Sequence, residues 1–146
     1  MLNRTNISNP IKPFFLVDYH SYDQGVGGQI SWADVPASYV DASGNKALPA
    51  GKIVASLISG ANAGKLVPSD SPAITTETEY AILISSANEK DRNDAAGGYG
   101  TCVAGVIYEN LLPDSSGNPK VLAPALKTKL AASGKYVFQV RAESRG

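Results

Sequence analysis

The feature that most limits the possible folds is a series of four strand-length apolar segments, at residues 52–59, 80–85, 101–108 and 136–140, each set off by turn residues. All four are rich in β-branched or aromatic side chains, which pack well on a pleated surface. A single stretch of good helical composition, residues 123–133, lies between the last two. This order predicts a mainly β fold with one short helix (α+β), built as a small β-sandwich or barrel-like domain. At 146 residues the chain fits one domain with a hydrophobic core.

Side-chain alternation fills in the elements. In the first segment Ile53, Ala55 and Leu57 point to one side, and Val54, Ser56 and Ile58 to the other. The glycine-bracketed run 60–64 then turns the chain into a return strand at 65–68. Residues 80–84 and 101–108 are apolar on both faces, which marks central strands covered on both sides. Gly105 inside the latter predicts a bulge or the close approach of another backbone. Shorter strands are expected at 30–32 and 39–40, with turns at Asp41-Ala42-Ser43-Gly44-Asn45 and at residues 114–119. Residues 88–100, polar and glycine-rich, read as a long surface loop.

The helix is bounded by its own chemistry. A residue before proline avoids the α region, so Ala123 is the expected N-cap and Pro124 the first helical residue. Leu126 and Leu130 share a face, and Gly134 is expected to stop the helix in the left-handed conformation. So short a helix does not persist alone in water and must dock on the sheet. In the closing strand Tyr136, Phe138 and Val140 point inward, with Gln139 and Arg141 outward. The expected core is Ile82, Ile84, Val103, Val106, Leu126, Leu130 and Phe138.

Residues 1–28 differ in texture from the globular domain expected over residues 29–146. Pro10 and Pro13 break periodicity, Phe14-Phe15-Leu16-Val17 forms an apolar cluster, and Tyr19 and Tyr22 follow in a polar setting. The favoured reading is an extended arm with aromatic anchors. The competing one is an ordinary first strand with a frayed start.

Several function classes find little support. Thirteen basic and thirteen acidic residues cancel, and no basic stripe is available to neutralise phosphates. Cys102 is the only cysteine and reads as a small buried hydrophobe, so no disulfide can form within the chain. His20 is the only histidine, and no strained nucleophile turn accompanies Asp18, Ser21 or Ser31, so no catalytic centre, cofactor or metal site is expected. Residues 60–65 lack the spacing and hydroxyl of a phosphate-binding loop, and residues 91–98 lack the ligand spacing of a calcium loop. Trp32, Tyr19, Tyr22, Tyr39 and Tyr99 are a minor candidate for a carbohydrate platform. The N-terminus lacks a secretory h-region, so the Asn6-Ile7-Ser8 sequon reads as chance; no segment has transmembrane length, and synthesis in a reducing cytoplasm is expected.

Three segments together carry a resemblance. Leu48-Pro49-Ala50-Gly51-Lys52-Ile53-Val54 leads to Gly64-Lys65-Leu66-Val67-Pro68. Cys102-Val103-Ala104-Gly105-Val106-Ile107 follows, and then residues 125–134 before a closing strand. In order and spacing the chain resembles, over residues 47–140, the head decoration (capsid cement) proteins of tailed bacteriophages, the lambda type. The resemblance implies a non-enzymatic homotrimer at three-fold positions of an expanded head. It would clamp the major capsid protein on the outer surface of the virion, after synthesis in the host cytoplasm, with no direct contact to nucleic acid or membrane. The arm residues that would touch the capsid are Pro10, Pro13, Phe14, Phe15, Tyr19 and Tyr22. The alternative is a carbohydrate- or receptor-binding β module of a virion fibre or tail.

Overall fold

The computed structural model of the protein describes residues 14–17, 22–25, 27–75, 78–91 and 98–142. These form a mainly β domain with one α-helix. The strands are β1 (Asp23–Gln24), β2 (Ala47–Leu48), β3 (Ile53–Ser56), β4 (Leu66–Pro68), β5 (Glu79–Leu83), β6 (Ala87–Asn88), β7 (Thr101–Tyr108) and β8 (Lys135–Gln139). The helix, α1, spans Pro124–Ser133.

The main sheet runs β1-β7-β5-β3-β4, antiparallel throughout, with β8 added parallel to β7. Residues just after β1 bend the sheet toward closure. Gly28 pairs with Tyr99 beyond the start of β7, while Ile30 bridges Leu66 of β4 in parallel. The same run of chain is therefore bonded to both ends of the strand order, which makes the domain barrel-like. A two-stranded sheet of β2 and β6 stands apart from the main one.

The strand β7 serves different neighbours along its length. Ala104 lies opposite both Asp23 and Lys135, and Cys102 opposite both Gln24 and Ile82. So β8 occupies, along residues 104–108, the side that β5 holds nearer the start of the strand. The helix packs where β5 and β8 diverge, and Ser133 Oγ accepts the Tyr80 backbone N–H at 3.0 Å. The register of β1 on β7 slips between Asp23 and Gln24, the signature of a bulge. That slip explains how Cys102 and Ile107, an odd spacing apart, share one core. Gly105 has φ +149°, and a Cβ there would lie 3.1 Å from Tyr22 Cβ and 3.3 Å from Leu16 Cδ2, so the expected close approach is to residues near the N-terminus.

Alternation along the central strands builds two apolar cores, one on each face. Ile53, Ala55, Leu57, Val67, Tyr80, Ile82, Ile84 and Cys102 belong to the first, which also takes in Leu130 of α1. Val54, Leu66 and Leu83 belong to the second, with Ile30, Val35, Tyr39, Leu48, Ala87 and Tyr99. The expectation of strands covered on both sides, made for residues 80–84 and 101–108, therefore holds for β5 but not for β7. That strand gives Cys102 and Ile107 to the first core, none to the second, and is half-buried over residues 103–106; β3 is the other strand with residues in both cores. Of the expected core residues, Ile82, Ile84 and Leu130 are buried, Leu126 and Phe138 pack on the core only partly buried, and Val103 and Val106 are half-buried.

Several local expectations change. Residues 30–32 do not form a strand: Ile30 makes one bridge, and Trp32–Asp34 is a 3-10 helix. Val140, expected inward, is 69 % exposed because β8 ends at Gln139. The segment 88–100 is not all surface loop, since Asn88 pairs in β6 and Tyr99 is buried; residues 92–97 lie outside the described set. Ala123 and Pro124 start the helix as expected, but Gly134 ends it in an extended conformation (φ −145°), not a left-handed one. Glycine is needed there for space: a Cβ would lie 2.4 Å from the Val103 carbonyl oxygen. The 60–64 turn is a hairpin connection, with Gly64 N–H donating to Leu57 O at 2.7 Å and Leu57 N–H to Lys65 O at 2.9 Å.

Candidate interaction surface

The proposed arm residues separate into three groups. Pro10, Pro13 and Tyr19 lie outside the described residues. Phe15 is completely buried and Leu16 nearly so, both in the first core, and Tyr22 packs against that core partly buried. Phe14 alone among the described arm residues is a half-exposed aromatic, at 49 %.

The arm boundary at residue 28 is therefore corrected. Tyr108 N–H donates to Phe15 O at 2.7 Å and Val17 N–H to Val106 O at 2.9 Å, which ties residues 15–17 to β7. Asp23–Gln24 is itself a strand of the main sheet. Phe15 is thus a core residue and no free anchor. Burying a phenyl ring on a sheet face while the backbone pairs with β7 satisfies both the apolar surface and the polar main chain. Beside it the Phe14 ring stands edge-on, with centroids 5.7 Å apart and planes at 89°. Phe14, Phe15 and Pro113 converge on Gly51, each with an atom 3.1 Å from where a Cβ would sit.

A second feature combines residues far apart in sequence. A cavity of about 190 Å³ opens between the start of β3, the 112–123 segment and the first turn of α1. Ile53, Leu112, Leu122 and Leu126 supply its apolar wall, and Lys52, Asp70, Asp114 and Lys120 its charges. Tyr39, with no exposed surface, donates its hydroxyl to Asp70 Oδ1 at 2.7 Å and carries the Lys52 ammonium 5.3 Å from its ring centroid. Burial, assisted by the neighbouring Asp70, pushes the Tyr39 phenol well above its ordinary value. Burial likewise pulls Lys52 below the usual lysine range; Asp70 and Asp114 oppose the shift, and Lys120 adds to it. Sequence reasoning missed this cluster, because no spacing rule connects residues 39, 52, 70, 114 and 120.

The same end of the molecule carries a loop used twice. Asp41-Ala42-Ser43-Gly44-Asn45 and Asp114-Ser115-Ser116-Gly117-Asn118 share the pattern Asp-x-Ser-Gly-Asn. In each, Oδ1 of the aspartate accepts two backbone N–H groups, from Ser43 and Asn45 in one and from Ser116 and Asn118 in the other, at 2.9–3.0 Å. The aspartate N–H bonds the asparagine carbonyl at 2.8 Å in both. Asp41 also accepts the Asn88 side-chain amide at 2.8 Å, and this bond is the main reason its carboxyl lies below the ordinary range; for Asp114 the main reason is the Asn118 N–H. Comparing the two turn sequences would have revealed the repeat.

Other expectations are placed as follows. Tyr39 and Tyr99 are buried, with hydroxyls bonded to Asp70 and to Asp91, and the Trp32 indole nitrogen is buried, so these three do not present a flat carbohydrate platform. Cys102 is fully buried, its thiol held near the Ala104 carbonyl, and burial pushes it up to about 11. Among the described residues no cluster of His, Cys, Asp and Glu is arranged to hold a metal, and no helix is long and apolar enough to cross a membrane. His20 lies outside them.

Fold and surface together define a mainly β domain whose N-terminal segment is rooted in the core, with a charged cavity near that root. No protein-family model, curated protein or solved structure matches the chain.

Proposed function

We propose that this chain is a capsid decoration protein. In this reading it binds the expanded head of a tailed bacteriophage from outside, as a homotrimer at three-fold positions, and stabilises the shell against the pressure of packaged DNA. The observation that carries the reading is how the N-terminal segment meets the domain. Phe15 and Leu16 are locked into the core, while Phe14 beside them is 49 % exposed. Any adhesion by residues 1–14 to a capsid subunit would then be transmitted directly to the central strand β7. The strand, turn and helix order that carries the resemblance over residues 47–140 supports the same reading.

The physics suits a clamp. Three linked arms on one trimer raise effective concentration, so individually weak contacts sum to a tight attachment. A ligand that binds only the expanded lattice stabilises that lattice by mass action. The zero formal charge of the chain leaves no electrostatic barrier to close packing of copies.

Co-sedimentation of the purified chain with expanded heads and with unexpanded proheads tests the proposal. Retention on expanded heads only, weakened by deleting residues 1–13, is the expected result. A chain that sediments with neither particle but is retained on a glycan surface would replace this reading with the carbohydrate-binding one.

A further inference from the structure

We propose that the cavity beside Lys52 is a binding site for a short aliphatic carboxylate, either a free small molecule or the carboxylate end of a peptide. Pro113 of the cavity wall meets Phe14 and Phe15 around Gly51, but none of residues 14–17 lines the cavity, and the proposal does not depend on the capsid reading.

The first reason is an unmatched cation. Among the described residues Lys52 has no hydrogen-bonded or ion-paired acceptor; its ammonium lies over the Tyr39 ring, 5.3 Å from the centroid, and Asp70 and Asp114 act on it only at longer range. Lys127 shows the contrast, with Glu109 Oε2 at 2.9 Å. Lys52 is nevertheless half-buried on the cavity wall, where an ammonium without an anion is unfavourable. The depressed proton affinity described above is the same fact expressed in protonation.

The second reason is that the nearby carboxylates are engaged elsewhere. Asp70 holds the Tyr39 hydroxyl at 2.7 Å, and Asp114 holds two N–H groups of its own loop, at 2.9 and 3.0 Å. Turning either toward Lys52 would leave a buried phenol or a tight turn unsatisfied. An arriving carboxylate meets no such cost, and Lys120 on the same wall adds a second positive charge.

Charge and volume then select the ligand. Lys52 and Lys120 are matched in charge by Asp70 and Asp114, so a dianion such as phosphate meets twice the repulsion that a single negative charge meets, and a carboxylate is the smaller charge that can still give Lys52 a direct acceptor. The cavity of about 190 Å³ corresponds to roughly six water molecules at ~30 Å³ each, which suits a carboxylate with a short hydrocarbon chain. Leu112, Leu122 and Leu126 are placed to cover that chain. Ala123, at the N-cap of α1, and Leu126 of its first turn line the same space.

The test uses the full chain, labelled for NMR at lysine side chains and leucine methyls. It is titrated with sodium butyrate, with neutral butyramide, and with acetyl-Gly-Val bearing a free carboxylate. Butyrate is expected to shift the Lys52 signals and the Leu112, Leu122 and Leu126 methyls saturably. It should raise the Lys52 titration midpoint, and butyramide should bind at least tenfold more weakly. Lys52→Met should abolish the shifts while the melting temperature stays within a few degrees, and Lys120→Ala should weaken binding several-fold. Tighter binding of the peptide than of butyrate assigns the site to a chain terminus; equal or weaker binding assigns it to a free small acid. Absence of saturable shifts up to 100 mM butyrate (roughly the weakest useful affinity), or equal binding of butyramide, overturns the proposal without reference to any variant.

Discussion

Replacing Phe15 with alanine measures where the folded domain begins. The ring is completely inaccessible and lies in the first core. Withdrawing roughly 150 Å² of apolar surface at ~25 cal/mol per Å² removes about 4 kcal/mol. Buried Phe→Ala changes typically cost about 3–5 kcal/mol, cavity included. Phe14→Ala makes the internal control. That ring is 49 % exposed and keeps chiefly its edge-on contact with Phe15, so its loss should cost about 1 kcal/mol. Calorimetry or urea unfolding of the three proteins, with two-state behaviour verified by two probes, reads the difference directly. At about 3–5 °C per kcal/mol for a domain of this size, Phe15→Ala should melt roughly 10–20 °C below the parent and Phe14→Ala only a few degrees below. In a head-binding assay the order should reverse, Phe14→Ala losing attachment at near-normal stability. Equal melting of both variants and the parent would refute the argument, because Phe15 would then stand outside the core.

Leu130→Ala should cost about 2–5 kcal/mol, since Leu130 is fully buried, while Leu126→Ala, only partly buried, should cost about half as much by the same denaturation assay. Cys102 should resist alkylation at pH 8 in the native state and react within minutes once urea unfolds the chain; rapid native labelling would contradict its burial. The same thiol gives a signed pH effect: its folded value of about 11 lies above its ordinary 9.0, so between those limits the unfolded state ionises first and stability falls as pH rises, a slope that Cys102→Ala should flatten. Asp41 and Asp114 act in the opposite range, because both carboxyls are lowered on folding. Stability should fall as acid protonates them, and the Asp41→Asn/Asp114→Asn double variant should show a shallower decline below about pH 4 than the parent.

Local chemistry was enough to set the helix start at Ala123-Pro124, the turns at 41–45, 60–64 and 114–119, and the alternation of β3 between two faces. Proline geometry, glycine permissiveness and the two-residue period of a strand act within a few residues and leave their mark on the sequence. Gly105 was legible as a close approach, but what approaches it, Tyr22 and Leu16, was not. Tertiary structure alone decided that Phe15 is core. An aromatic pair beside prolines reads the same in an arm or a first strand, and only pairing with β7 distinguishes them. It also decided the extended backbone at Gly134, where the Val103 carbonyl excludes a side chain, and the departure of Val140 from the sheet. The charged cavity was least legible of all. Tyr39, Lys52, Asp70 and the pair Asp114 and Lys120 come from four separate stretches of chain, and only the folded chain brings their charges together, because their electrostatic coupling depends on distance in space and on burial, neither of which a linear sequence encodes.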